Sequence, residues 1–586
     1  MPDTRPHELL PKLKKYRIDE RLYILIVAAV IGLLGGYGAV LFRFVIKIAQ
    51  YIFYHNSNDI LTFAHELPHY TIVLVPALGG LVVGLVVHFG AREAKGHGVP
   101  EVMEAVALRD GRMRKRVAAV KIMASAVCIG SGGSVGREGP IVQIGSSLAS
   151  TVTQLLGMPR VHHRTMVGCG AAAGIAATFN APIAGVLFAL EVLLGDFGMA
   201  SFSPVVLSSV TATIISRHYF GDFPAFIIPT YKLNSLWEFG IYPFLGLMAG
   251  LVGIIFIVVL YKAEDAFEAL PIPEWLKPAL GGVLLGLILL KWPHVFGVGY
   301  GAINEALLNK LPGLFLALLI FLKIAATSIT LGSGGSGGIF APSLFIGAML
   351  GGFFGWLANI LFPGIPASPG AYALVGMGAV VAGTTHAPIT AILIIFEMSG
   401  NYKIILPMMI TCILSTIITV SLKRGSIYTI KLLRRGVDIA GGMEQNILRT
   451  LKVGQFMVQD VFKVPESMKL RDLINTFKTM DVSYLHVVND TGELTGVISF
   501  RDLRPLLEEY VLRDLVVAKD LATTDVVTIT PERNILTALQ LMSEKGISQL
   551  PVVAKENGKK VIGTLRDKDI MAAYDKAVIR REIEGR

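Results

Sequence analysis

Charge is scarce in this sequence. Only 16% of its 586 residues are Asp, Glu, Lys or Arg, while 53% are hydrophobic. That balance is too apolar for a soluble protein and the chain too long for one domain, so a multi-pass integral membrane protein is expected. Cysteine is nearly absent. Cys128, Cys169 and Cys412 are far apart, odd in number and set in apolar surroundings, which excludes a disulfide framework and a metal cluster and leaves them as packing residues. No nucleophile stands near a base, so no catalytic residue and no enzyme is expected. Residues 1–21 lack the apolar core and small-residue cleavage site of a signal peptide and carry Lys12, Lys14, Lys15, Arg17 and Arg21, so the N-terminus should stay in the cytoplasm. The net charge of +10 lies beside apolar spans as a topology signal and does not call for nucleic acid.

What the chain does have is glycine at particular places. The run Gly130-Ser131-Gly132-Gly133-Ser134-Val135-Gly136-Arg137-Glu138-Gly139-Pro140 sets an arginine and a glutamate between glycine-rich backbone and a proline. Glycine lets backbone N–H groups approach a ligand and proline suits the first turn of a helix, so the spacing predicts a helix starting at Pro140. A helix start presents unpaired N–H groups and partial positive charge, whose natural guest within a membrane is an anion. Glu138 then reads as a tethered anion able to occupy the same place. The alternative is that the glycines only let helices pack closely.

The pattern recurs. Gly332-Ser333-Gly334-Gly335-Ser336-Gly337-Gly338-Ile339-Phe340-Ala341-Pro342 follows 202 positions later, with Ile339-Phe340 in place of the charged pair. Asn180-Ala181-Pro182-Ile183-Ala184, running to Glu191, is echoed 206 positions on by His386-Ala387-Pro388-Ile389-Thr390, running to Glu397. Two motifs repeated in order predict two copies of one unit, an arrangement in which transporters place their site near the midplane between broken helices. Leu22 to Phe42 is uncharged for 21 residues, enough to cross a hydrocarbon core of ~30 Å. Apolar blocks follow at Ile72 to Val87, Val205 to Ile215, Ile241 to Tyr261, Ala279 to Leu290, Leu311 to Leu322, Phe345 to Leu361 and Ile404 to Leu422. Several are too short to span, which predicts a bundle of broken, tilted helices.

Two motifs mislead. His65-Glu66-Leu67-Pro68-His69 fits the H-E-x-x-H zinc pattern, but Pro68 stands where the helix carrying both histidines would have to continue. Gly332-x-Gly334-x-x-Gly337 fits a dinucleotide fingerprint without the strand and βαβ unit that the fingerprint needs.

Gly96-His97-Gly98-Val99-Pro100-Glu101 is a third Gly/Pro-rich helix start, and Arg109, Arg112, Arg114, Lys115 and Arg116 place the loop after it in the cytoplasm. With Tyr428 after the last span, these three starts, in this order, resemble the selectivity-filter signatures of the CLC chloride channels and chloride/proton antiporters, over about residues 20–436. The resemblance implies a homodimer with one anion pathway per subunit, each subunit built from two inverted halves. Carried over by position, the anion-binding set is Gly96, His97, Gly98, Pro100, Gly136, Arg137, Gly139, Pro140, Gly338, Ile339, Phe340, Ala341 and Tyr428. The N–H groups of Ile339 and Phe340 and the Tyr428 hydroxyl would hold a central chloride. Glu138 would be the gate, competing with chloride and leaving when protonated.

The chain departs from the family pattern twice. His97 replaces the serine of many members: its imidazole either donates to the anion, adding charge when protonated, or points away and leaves only its backbone N–H. Val192 occupies the proton-coupling position, where coupled members commonly carry a second glutamate, so a channel is expected. Glu191 beside it reads as a buried structural carboxylate, with a proton relay through it or through water as the alternative.

From about Val453 charges become frequent and short apolar runs alternate with amphipathic helical stretches, the pattern of a soluble α/β region. Gly496-Val497-Ile498-Ser499-Phe500-Arg501-Asp502 returns 67 positions later as Gly563-Thr564-Leu565-Arg566-Asp567-Lys568-Asp569, and the pair resembles tandem CBS domains. That implies an adenine nucleotide (ATP, ADP or AMP) near Ser499, Asp502 and Asp569, although Arg566 replaces the second hydroxyl; a purely dimerising role is the alternative.

The expected organisation is an N-terminal cytoplasmic segment at 1–20, an α-helical membrane domain at 21–436 with repeats at about 21–220 and 235–436, a linker at 437–452, and CBS domains at 453–512 and 518–586. No cofactor or metal is required. The expected partners are a second copy, the bilayer, chloride and, if transport is coupled, protons, with the chain in the cell (inner) membrane and both termini cytoplasmic. The expected function is passive, chloride-selective transport gated by Glu138. A chloride/proton antiporter is the alternative, and a CBS-bearing cation channel a remote one, against which the uncharged second signature argues.

Overall fold

The computed structural model describes residues 19–57, 60–222, 226, 235–438, 448, 451–480, 482–555 and 558–584. The expected cytoplasmic segment at 1–20 and the linker at 437–452 lie largely outside them. The chain divides into two units, Met1–Val437 and Asp438–Arg586.

The first unit is helical and is written twice. Its first half comprises α1 (Glu20–Tyr54), α2 (His69–Phe89), α3 (Val99–Leu108), α4 (Arg116–Gly130), α5 (Glu138–Leu155), α6 (Arg160–Phe179), α7 (Pro182–Leu194) and α8 (Met199–Phe220). The second half answers with α9 (Glu238–Glu268), α10 (Lys277–Leu289), α11 (Tyr300–Leu307), α12 (Gly313–Gly332), α13 (Phe340–Leu361), α14 (Pro369–Thr385), α15 (Pro388–Ser399) and α16 (Ile405–Leu422), followed by α17 (Thr429–Arg434). Packing repeats too. The pairs α5–α6, α1–α8 and α6–α8 in the first half reappear as α13–α14, α9–α16 and α14–α16 in the second. The halves are joined along α2 and α10, where a Cβ on Gly80 would strike the Pro278 carbonyl oxygen and one on Gly282 the Pro76 carbonyl, the close approach that small residues permit within a membrane.

Among the described residues, 7 helices are long and apolar enough to span a membrane. The apolar blocks underestimated several of them. Val205 to Ile215 lies inside the 22 residues of α8, and Leu311 to Leu322 overlaps the 20 residues of α12, because Ser, Pro, Arg and His flank the apolar run in α8 while Lys323 and then Ser, Thr and Gly continue α12. The first span likewise extends to Tyr54, past Arg43 and Lys47. The H-E-x-x-H look-alike is a boundary: a 3₁₀ turn covers Ala64–Glu66, and α2 starts at His69 after Pro68.

The second unit contains two small α/β modules. Strands β1 (Lys463–Pro465), β2 (Tyr484–Val488) and β3 (Leu494–Ser499) form one sheet, with β1 parallel and β3 antiparallel to β2, and β4 (Gln549–Val553) pairs antiparallel with β5 (Val561–Arg566). Amphipathic helices α18 (Leu470–Thr479) and α19 (Ile535–Lys545) cover them, burying Leu473, Phe477 and Leu485 in the first core and Ile535, Leu550 and Leu565 in the second. The modules touch along one edge, where the Leu494 N–H donates to the Lys559 carbonyl at 2.8 Å.

Candidate anion pathway

Both glycine-rich runs are helix breaks. Helix α4 stops at Gly130 and α5 starts at Glu138, while α12 stops at Gly332 and α13 starts at Phe340. The predicted start at Pro140 is two residues late. Pro140 and Pro342 are third residues, still within the first turn, where a missing N–H costs no intrahelical bond.

The two breaks meet antiparallel. The Gly136 N–H donates to the Gly338 carbonyl at 2.8 Å and the Gly338 N–H to the Gly136 carbonyl at 2.6 Å. The third signature joins the same cluster, since Gly96 N–H donates to Gly335 O at 3.0 Å and Gly337 N–H to Gly96 O at 3.2 Å. Only glycine permits this crowding at position 139, where a Cβ would strike the His97 carbonyl oxygen, and Gly98 sits at φ +83° just ahead of α3. Segments some 200 residues apart in sequence thus bring Gly96, His97, Gly98 and Pro100 together with Gly136, Arg137, Gly139 and Pro140 and with Gly338, Ile339, Phe340 and Ala341.

Two lysines that sequence reasoning missed brace this cluster symmetrically. Lys121 of α4 is wholly buried and donates to the carbonyls of Ala94 at 3.0 Å and Gly96 at 2.8 Å. Lys323 of α12, 202 positions later, is equally buried and donates to Val295 at 3.3 Å and Gly297 at 2.8 Å. A hydroxyl from the opposite half completes each brace: Ser336 on Ala94 O at 2.7 Å, Ser134 on Val295 O at 2.9 Å. The available signal was a lone lysine in an apolar helix, costly within a membrane unless it has a dedicated task.

Glu138 is 1% exposed. Its Oε1 accepts from the Tyr300 hydroxyl at 3.2 Å, while Oε2 is buried without a hydrogen-bond partner and lies where a side chain on Gly136 would be. The backbone N–H groups of Glu138 and Ala341 face the carboxylate, which puts a side-chain anion at the positive end of α13. Arg137 stacks its guanidinium over the Tyr300 ring, 5.4 Å from the centroid. Phe340 packs on Phe179 at 5.7 Å. Tyr428, 2% exposed, immediately precedes α17, with its ring 6.1 Å from that of His97. His97 is itself buried and its Nδ1 has no hydrogen-bond partner. Such a cluster of helix ends, a phenol and an imidazole can hold one anion in competition with a tethered carboxylate.

Val192 lies in the π-helical turn of α7, from Phe188 to Leu194. Its neighbour Glu191 caps α15, accepting from the N–H groups of Ile389 at 3.2 Å and Thr390 at 2.8 Å and from the Thr390 hydroxyl at 2.6 Å. Glu397 returns the favour at α7, accepting from Ile183 at 3.0 Å and Ala184 at 2.7 Å.

In the second unit Ser499 and Asp502 line a cleft of about 330 Å³ with Thr523, Asp525 and Lys545. The Ser499 hydroxyl donates to Asp502 at 2.7 Å. That cleft has the hydroxyl, carboxylate and room a nucleotide needs. In the other module Arg566 clamps Asp569 through two hydrogen bonds, at 2.8 and 2.9 Å. Asp569 thus pairs with an arginine, where Asp502 accepts from a serine hydroxyl. His486 lines both the Ser499/Asp502 cleft and a second one of about 330 Å³ bounded by Gln549, Arg566 and Lys568; it is 2% exposed, with Nε2 3.3 Å from the Thr564 hydroxyl. Burial, helped by the positive charge of Lys463, pushes its pKa down to about 4.

The voltage-gated chloride channel family matches residues 79–420, and the CBS domain matches 453–509 and 518–576. The chain is 37% identical, over 71% of its length and 98% of the relative's, to a ClcB-like chloride channel protein of Ralstonia nicotianae. It is 33% identical to the voltage-gated ClC-type chloride channel ClcB of Escherichia coli, over 69% of this chain and 97% of that one. A slow cyanobacterial Cl⁻/H⁺ antiporter aligns with a TM-score of 0.65 at 27% identity, covering 71% of this chain and 98% of that structure. A eukaryotic CLC transporter at 19% identity shares the fold over 94% of this chain and 98% of its own, with a TM-score of 0.61. These matches and the doubled helical frame make this chain a multi-pass membrane protein of the voltage-gated chloride channel (CLC) family, a chloride transporter in the broad sense, with two CBS domains at its C-terminal end.

Proposed function

We propose that the chain carries chloride passively through one pathway per subunit of a homodimer in the cell membrane, with Glu138 as the gate. The observation that carries this reading is the Glu138 carboxylate, buried at the N-terminal end of α13 in the place an anion would take. The residues of the family pattern meet at the same helix breaks: Gly136 pairs with Gly338, Gly139 lies against the His97 carbonyl, and the Tyr428 ring stands beside His97. Supporting passive transport, Val192 offers no titratable group on the path a proton would take from the cytoplasm, and Glu191 is engaged as a helix cap. Proton-coupled exchange is the second reading, favoured by the similarity to the cyanobacterial Cl⁻/H⁺ antiporter. The CBS pair is read as binding one adenine nucleotide, in the Ser499/Asp502 cleft, with both termini cytoplasmic.

Purified protein in liposomes with a tenfold chloride gradient and a pH electrode outside separates the two readings. Passive transport gives chloride efflux with no uphill proton movement. Sustained proton pumping that a protonophore abolishes would replace the channel by the exchanger. In the same assay Glu138→Gln should transport without needing acid, because the competing carboxylate is gone while the helix-end donors remain.

A further inference from the structure

The Glu138 carboxylate is held by a residue outside all three signatures. Tyr300 opens α11, directly after Gly299 at φ +87°, and donates its hydroxyl to Glu138 Oε1 at 3.2 Å. Its position is fixed on every side. Lys323 grips the preceding loop through Gly297 O, the Arg137 guanidinium lies over the ring, and Phe226 packs edge-on with centroids 5.5 Å apart. On its far side Tyr300 lines a cavity of about 460 Å³ together with Arg43, Lys47 and Arg137. The ring therefore stands between a basic vestibule and the buried carboxylate. In the first half the matching position, 201 residues earlier, is Val99, which has no donor, so the contact breaks the symmetry of the repeat where the gate does.

We infer that Tyr300 is a positioning residue that latches Glu138 closed: its hydroxyl bonds the ionised carboxylate, and that bond must break for the side chain to leave. This inference rests on the reading of Glu138 as the gate. A donor on the ionised form favours that form, so the latch makes the gate harder to protonate and harder for chloride to displace. The other groups facing Glu138 stay in place when the hydroxyl is removed. They are Arg137 on the same element, Lys323 from α12, Tyr428 ahead of α17 and the Ala341 N–H of α13, with Arg43 of α1 behind Arg137 and Tyr300.

The test is anion flux against pH for the full-length protein in liposomes. Tyr300→Phe keeps the ring under Arg137 and should move half-activation to higher pH by about one to two units, the size expected of one hydrogen bond to a charged group. Replacing Tyr300 with 3-fluorotyrosine, a stronger donor, should move it the opposite way and serves as the second variant if the phenylalanine protein folds poorly. In a Glu138→Gln background neither change should have any effect on the profile. An unchanged profile in Tyr300→Phe, with Glu138→Gln acid-independent, overturns the latch while the gate stands. A shift that persists in the Glu138→Gln background also overturns it, because Tyr300 would then act elsewhere. A Glu138→Gln protein that still needs acid defeats the gate, and the latch with it.

Discussion

A buried imidazole between two clefts makes the second unit sensitive to acid. His486 is neutral in the folded protein with its pKa lowered to about 4, whereas an unfolded histidine titrates near 6.5. Between those values the unfolded chain binds a proton that the folded one refuses, so stability is full above pH 6.5 and falls as pH drops toward 4. The loss should reach roughly 3 kcal/mol. Hydrogen exchange of the full-length protein, corrected for intrinsic rates, should show peptides from β2 and β5 losing protection across that window, with His486→Gln flattening the trend; equal slopes in both proteins would remove His486 from the account. His486 carried no signal in the sequence, since its setting depends on Thr564, 78 residues away. The residues of the candidate anion pathway were legible for the opposite reason. Glycine, proline and a charged pair inside apolar sequence have few structural uses, so Glu138 and the helix start holding His97 stood out from local pattern, while Tyr428 was named only through the resemblance to the CLC family. Tyr300 could not, because a tyrosine 162 residues from its partner looks like any other aromatic residue in a membrane domain.

At the scale of elements, α7 and α15 exchange caps: each ends in a glutamate that satisfies the first N–H groups of the other. A carboxylate at a helix N-terminus gains both from hydrogen bonds and from the helix dipole. Glu191→Ala and Glu397→Ala should each cost about 1–3 kcal/mol, by similar amounts because the roles are reciprocal. Thermal unfolding in detergent, with Val192→Ala as a near-neutral control, measures this. A Glu191→Ala protein as stable as its parent but altered in proton movement would make Glu191 a relay. The repeat was visible in the sequence as Ala-Pro-Ile in two places, each followed by a glutamate, but the exchange was not, since a repeat does not say whether its copies face themselves or each other. Helix ends were misplaced for a related reason: proline marked the first turn and could not tell its first position from its third.

Over the whole first unit, eight helices answer eight helices, and the inverted halves place α5 and α13 head to head across the Gly136–Gly338 pairing. Position 138 in one half is position 340 in the other. One carries a carboxylate and the other a phenyl ring, on scaffolds otherwise braced by matching lysines. The braces match across the halves, so the polarity of the frame rests on a few unmatched positions: the acid at 138, Tyr300 where the first half has Val99, and Tyr428 after the second half. Exchanging the two side chains, Glu138→Phe with Phe340→Glu, should yield a transporter whose acid requirement has moved to the opposite bath, read as anion flux in oriented bilayers acidified on one side at a time. If the double variant still responds to acid from the original side, the scaffold itself is asymmetric. Otherwise the direction from which this protein listens to pH is set by the choice between two residues, and evolution could turn it around within the membrane without altering its topology.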